Sequence, residues 1–182
     1  MRTIVESTLV SADGVIGDPP QWAMGYRDEE VQAEALDRLS GSDAMLMGRV
    51  TYELFAATWP AQAGDFADRM NSIRKYVFSS TLERADWSNS TIVRGDAVTE
   101  VTKLKQQDGG DLLILGHGLL GETLLKQRLL DVLDLDIYPV LTYPVLAGRG
   151  KPFFREGQAV KLKLATTKSF SKIVKVTYEP QY

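Results

Sequence analysis

Two stretches of the chain place a glycine where an apolar run gives way to a helical pattern. They are Ala44 to Gly48 followed by Arg49-Val50-Thr51, and Leu112 to Gly116 followed by His117-Gly118-Leu119-Leu120. If both apolar runs are strands of one parallel sheet, their carboxyl ends share the edge at which such sheets bind ligands. A glycine there lets a ligand approach the backbone, and the helix that follows presents unpaired N–H groups and a positive dipole end to an anion. Arg49 would add a charged fork and Thr51 a hydroxyl donor. Together these residues read as a pair of phosphate seats, which points to a dinucleotide or a sugar phosphate. The pattern is looser than G-x-G-x-x-G, and no P-loop spacing occurs anywhere in the chain.

A third apolar run, Tyr76-Val77-Phe78, ends in Ser79-Ser80-Thr81, with Arg84 and Arg94 near in sequence. Hydroxyls at a strand's carboxyl end can hold a further phosphate, such as the 2′-phosphate that separates NADP from NAD. The same three residues also cap a strand and start a turn with no ligand, and the sequence leaves both readings open.

The elements that must position these groups follow from periodicity. Residues 3–10 read as a strand, followed by a long Gly/Pro-punctuated connection; connections of that length in compact domains are usually functional. Val31, Ala35, Leu36 and Leu39 recur at helical spacing behind an acidic first turn. Strand and helix then alternate through residue 130, with residues 61–72 read as a mobile or partly helical connection. The alternation predicts an α/β, three-layer architecture around a mostly parallel sheet. Beyond Asp131 the pattern turns to β-type with prolines. Residues 160–170 and 171–180 alternate with period two about a short turn, an antiparallel hairpin.

At 182 residues the chain fits a single domain, residues 1–182, able to bury roughly 70% of its unfolded surface without staples. It has no cysteine and one histidine, which excludes disulfides and makes a thiolate or histidine metal cage untenable; no metal is expected. With 21 basic and 24 acidic residues and no basic cluster, neither nucleic acid nor an anionic membrane is the expected partner. Glu6 interrupts the apolar run a signal peptide needs, so a cytoplasmic location is expected. The lysines of "KLKQQD" and "KLKLATTK" read as solvated faces of a helix and an edge strand.

The segments "SADGVIGDPPQW", "AMLMGRVTYELF", "KYVFSSTL", "DLLILGHGLL" and "YPVLAGRGKPFF" stand in an order and spacing that resembles the dihydrofolate reductase superfamily. The likeness runs over nearly the whole chain. It is strongest to the branch containing the C-terminal domain of riboflavin-biosynthesis pyrimidine reductases. It implies a dihydrofolate reductase-like fold and an NADPH-dependent reductase working on a small molecule as a homodimer. Carried over, Gly48, Arg49 and Thr51 hold cofactor phosphates, and Ser79, Ser80 and Thr81 line the 2′-phosphate side. Gly116, His117, Gly118, Leu119 and Leu120 form the second phosphate loop, and Ile16 and Gly17 lie in the loop covering the nicotinamide. On the substrate side the likeness implies Trp22 and Asp13 as binding residues and Asp28 as the catalytic acid.

Two departures stand out. The family usually has Gly or Ser where this chain has the bulky His117. The acidic run Asp28-Glu29-Glu30 is also what any helix start collects through its dipole. His117 could donate a proton, but a lone histidine in such a loop more often packs or hydrogen-bonds. Tyr138 and Tyr143 could line a subunit interface, with burial in the sheet as the alternative.

Two functions are therefore expected in competition. One is hydride transfer to a C=N or C=O bond of a pteridine-like or ribosylated aminopyrimidine substrate. The other is a non-catalytic nucleotide-binding module on the same fold. A zinc deaminase portion is excluded, because its cysteines are missing.

Overall fold

The computed structural model describes residues 1–26, 29–142 and 159–182. Asp28, Tyr143 and the "PVLAGRGKPFF" segment lie outside them. In chain order the elements are β1 (Ile4–Ser11), α1 (Pro19–Trp22), α2 (Glu29–Ser40), β2 (Ser42–Gly48), α3 (Arg49–Thr58), α4 (Asp65–Ser72) and β3 (Arg74–Phe78). They continue with β4 (Ser90–Val93), α5 (Ala97–Gln106), β5 (Asp111–Leu115), α6 (Leu119–Lys126), β6 (Val132–Tyr138), β7 (Lys161–Ser169) and β8 (Val174–Gln181).

The strands form one sheet in the order β4-β3-β2-β5-β1-β6-β8-β7. All neighbours from β4 to β6 are parallel, and β8 pairs antiparallel with both β6 and β7. The period-two side-chain rule splits each central strand between two cores. Ile4, Ala44, Leu46, Leu112, Ile114 and Leu133 meet Val101 and Leu104 of α5 and Leu124 and Leu125 of α6. Val5, Met45, Met47, Leu113 and Val77 meet Leu39 of α2, Tyr52 of α3 and Met70 of α4. That is the three-layer α/β arrangement expected, with the antiparallel hairpin at one side. Each such buried side chain contributes roughly 1.5–3 kcal/mol, so the strand ends can be left bare without endangering the fold.

One local reading changes, that of Lys105, and the others hold. Residues 65–72 form a helix, the partly helical alternative for 61–72: Asp65 and Asp68 sit in its first turn, and Ala67 and Met70 reach the core. Lys103 is solvated as expected, but Lys105 bends back to bond Leu129 O at 2.9 Å and pairs with Asp131 at 2.5 Å. The solvated-face reading fails there because the helix end abuts the start of β6. Tyr138 is fully buried, as its core alternative required. The β7 lysines do lie on an exposed edge strand. Among the described residues no helix is long and apolar enough to cross a membrane, and no metal-binding cluster occurs.

Candidate functional site

The order of the strands creates the site. From β2 the chain passes through α3 to β3, away from β5; from β5 it passes through α6 towards β1 and β6, away from β2. Right-handed crossovers in opposite directions put α3 and α6 on opposite faces, and the two cores confirm it. A crevice therefore opens between the carboxyl ends of β2 and β5. This is the topological switch point at which open parallel sheets take ligands.

Both walls of the crevice begin at glycine. Gly48 is the N-cap of α3, extended at φ −83° and ψ 170°, and makes no side-chain cap. A side chain added there would meet nothing within 4 Å. Arg49 is the first residue of the helix and half exposed, held only by a 3.6 Å contact to Glu53 that solvent screens. Thr51 follows two residues on, within the first turn. In the β2–β3 register Gly48 lies opposite Phe78, so Arg49 is level with Ser79.

Gly116 takes φ +79°, a left-handed conformation natural to glycine, and likewise faces open space. Gly118 is the N-cap of α6, again with no side-chain cap, and Leu119 beside it is 71% exposed. Met45 pairs with Leu113, the last pair of the β2–β5 ladder, and Gly48 and Gly116 each lie three residues beyond it. Two sets of helix-start amides thus flank one opening, with a guanidinium at its rim. Such a cradle suits a diphosphate.

His117 points the other way. Its ring is 1% exposed, and Nδ1 lies 2.5 Å from Oε1 of Glu6, a fully buried acid of β1. Nε2 is 3.9 Å from Glu122 Oε1. Gly121 of α6 lies over the Glu6 carboxylate so closely that a Cβ there would overlap Oε2. The bulky residue in the loop is accommodated inward, and it is not placed to reach a substrate.

At the end of β3, Ser79 Oγ accepts bonds from Leu82 N at 2.9 Å and Thr81 N at 3.2 Å, a turn closed by its own hydroxyl. Arg94 clamps the same turn by donating to Leu82 O at 2.8 Å and Ser80 O at 3.2 Å. Arg84 pairs with Asp86. The strand-capping alternative therefore holds for Ser79, while Ser80 and Thr81 stay exposed.

The connection after β1 folds back on itself. Asp13 accepts from Ser11 Oγ at 2.5 Å and from Thr142 N at 3.0 Å, which ties the loop to the chain beyond β6. Gly14, at φ +83°, makes the tight turn. Ile16 is buried at the edge of the α5/α6 core, and the Gly17 carbonyl accepts the Trp22 indole N–H at 2.7 Å. Trp22 is 8% exposed and meets Tyr138 edge-on at 5.6 Å. Asp13 and Trp22 thus have structural work in this loop, and Asp28 lies outside the described residues. Asp13 and Ile16 follow β1, which adjoins β5, so the loop starts at the same sheet edge as the cradle.

Sequence reasoning singled out the cradle glycines, Arg49 and Thr51, but missed Glu6 and Gly121 as supports. Two signals were there to be used: an acid directly after the apolar pair Ile4-Val5 of a strand, and a glycine in the third position of a leucine-rich helix.

The RibD C-terminal domain family model matches residues 2–176 of the chain. No curated protein sequence matches it. Among solved structures, a protein assigned to riboflavin biosynthesis from Shewanella sp. PV-4 superposes with a TM-score of 0.75 at 20% identity, covering 99% of both chains. A diaminohydroxyphosphoribosylaminopyrimidine deaminase/5-amino-6-(5-phosphoribosylamino)uracil reductase from Thermotoga maritima matches at 0.68 and 14% identity, over 99% of this chain and 57% of its own. A pyrimidine reductase-like protein from Corynebacterium diphtheriae matches at 0.63 and 13%, over 99% and 92%. At these identities the structures establish a shared dihydrofolate reductase-like fold.

Proposed function

This chain belongs to the RibD C-terminal domain family, and we propose that it is an NADPH-dependent reductase of a pteridine-like or ribosylated aminopyrimidine substrate. The observation that carries the reading is the pair of uncapped glycine-led helix starts at one switch point. The names of the relatives support the substrate class: one is a uracil reductase of the ribosylamino type, another a pyrimidine reductase-like protein.

The residues present fit a dinucleotide. Open space at Gly48 and Gly116 admits the pyrophosphate to the backbone, and the amides of α3 and α6 with Arg49 balance its charge. Exposed Ser80 and Thr81, just beyond the end of β3, suit the 2′-phosphate, which favours NADPH over NADH. Leu119 and Leu120 would help hold the cofactor beside this cradle, and Ile16 and Gly17 would lie towards its nicotinamide. When bound, NADPH supplies the hydride.

The protein's part is to orient substrate against that end and to exclude water. Asp28, the acid that the family resemblance implies, is the group we assign to proton delivery. His117 is not that acid, because its buried ring cannot touch a substrate. We assign the active form as a cytoplasmic homodimer.

The test is to follow nicotinamide absorbance with 5-amino-6-(ribosylamino)uracil phosphate and with dihydrofolate as acceptors. Oxidation with either supports the reductase. NADPH binding with no turnover across both would make the protein a nucleotide-binding module, and no NADPH binding would remove both readings.

A further inference from the structure

We propose that Glu6 is a positioning residue: its buried carboxylate fixes the His117 ring in one tautomer and orientation, and thereby sets the Gly116-His117-Gly118 turn from which α6 offers its amides. The functional half of this inference rests on the turn being a cofactor seat. The structural half stands without it.

Three observations converge. Glu6 is fully buried in a central strand whose neighbours Ile4 and Val5 are apolar, where an apolar residue would fill the space without the cost of desolvating a charge. The hydrogen bond it makes crosses 111 residues of sequence to reach the one side chain of the turn, His117, at 2.5 Å. Gly121 stands in the first turn of α6, where alanine would make a better helix, yet any Cβ there would overlap Glu6 Oε2. The chain accepts a weaker helix so that the carboxylate can lie beneath it.

The chemistry follows from the donor inventory. With Glu6 Oε1 as the acceptor, Nδ1 of His117 is the donor, and Nε2 lies 3.9 Å from Glu122 Oε1, beyond hydrogen-bond distance. A ring held at Nδ1 cannot swing out into the crevice. Gly116, also tied by its own N–H to Ser7 O at 2.8 Å, keeps its left-handed conformation, and Gly118 remains free to cap α6 with bare backbone. The usual small residue of such loops needs no anchor, whereas a histidine does. Glu6 and Gly121 are the anchor and its clearance.

His117 is the sole histidine of the chain, so one spectrum reads it. Protein labelled with nitrogen-15 and made without a histidine tag is examined by two-bond proton–nitrogen correlation of the imidazole. The expected wild-type pattern has the proton on Nδ1. Glu6→Gln and Gly121→Ala, which disturb the contact from its two sides, should each alter that pattern and move the Gly116 and Gly118 amide shifts, with no cofactor present. With NADPH, each should weaken binding about tenfold, seen in KM for NADPH while kcat at saturation changes less than about twofold. In a His117→Ser background, Glu6→Gln should add no further loss, since its effect runs through the ring. An Nδ1-unprotonated ring in the wild type overturns the inference, as do unchanged turn amides in both variants. Additive losses of Glu6→Gln and His117→Ser would show Glu6 to be structural only. If wild-type protein does not bind NADPH, the reductase reading fails separately, and the ring pattern and turn amides still decide the role of Glu6.

Discussion

Three helices, α3, α5 and α6, start from the carboxyl edge of the same sheet, yet they do not start alike. α5, behind edge strand β4, opens with Asp96, whose side chain accepts from Thr99 N and Thr99 Oγ1, both at 2.9 Å. Those bonds hold its carboxyl below the ordinary carboxylate range, the backbone bond from Thr99 first. α3 and α6, at the switch point between β2 and β5, open on Gly48 and Gly118 with no side-chain cap at all. One helix start is finished by the chain itself. The other two leave their N–H groups for something else, and with glycine at the N-cap that forgoes only about a few tenths of a kcal/mol each. A bare glycine start is not by itself a binding one, since α4 also opens on an uncapped glycine, Gly64; what sets α3 and α6 apart is that theirs lie at the switch point.

The sharpest way to break that comparison is Gly48→Val. Its backbone is extended and its Cβ would meet nothing within 4 Å, so folding should be nearly unaffected. NADPH affinity, measured by calorimetry, should fall roughly 100-fold because the side chain fills the cradle. Next in size, Arg49→Ala should weaken NADPH about tenfold, the worth of a charge-assisted hydrogen bond, and NADH less. Equal losses would confine the arginine to the pyrophosphate, with no reach to the 2′-phosphate. The double change Ser80→Ala and Thr81→Ala should cost NADPH only about threefold by losing neutral hydrogen bonds, and NADH nothing. Smallest is Asp96→Ala at the finished terminus. It should leave NADPH affinity unchanged and lower thermal stability slightly at neutral pH. Because the folded-state pKa of Asp96 is depressed, its contribution is present above the unfolded pKa and disappears as pH falls through the folded one. Wild type and variant should therefore converge in melting temperature at acid pH.

Much of this contrast was legible from local sequence. Glycine after an apolar run marks both cradle walls, and the switch from mixed to strictly alternating pattern after Asp131 marks the antiparallel hairpin. What local pattern could not carry was partnership. Glu6 reads as a blemish in a strand until β5 places His117 beside it. Lys105 reads as a solvated lysine until β6 brings Asp131 within reach. Trp22 and Asp13, read as substrate contacts, have partners in Gly17, Tyr138 and Thr142 that periodicity does not reveal. Residues 65–72 lacked a run of strong helix formers; the helix exists because Ala67 and Met70 gain a core to pack into. In each case the missing information was which distant segment arrives, and strand order decides that.

The most direct measurement is an NADPH titration followed by backbone amide proton–nitrogen correlation. The two bare helix starts should respond together: the largest shifts should fall on residues 48–51 and 116–120, with Asp96 to Thr99 unmoved. Shifts centred elsewhere on the sheet, or none at millimolar NADPH, would contradict the cradle and the function drawn from it.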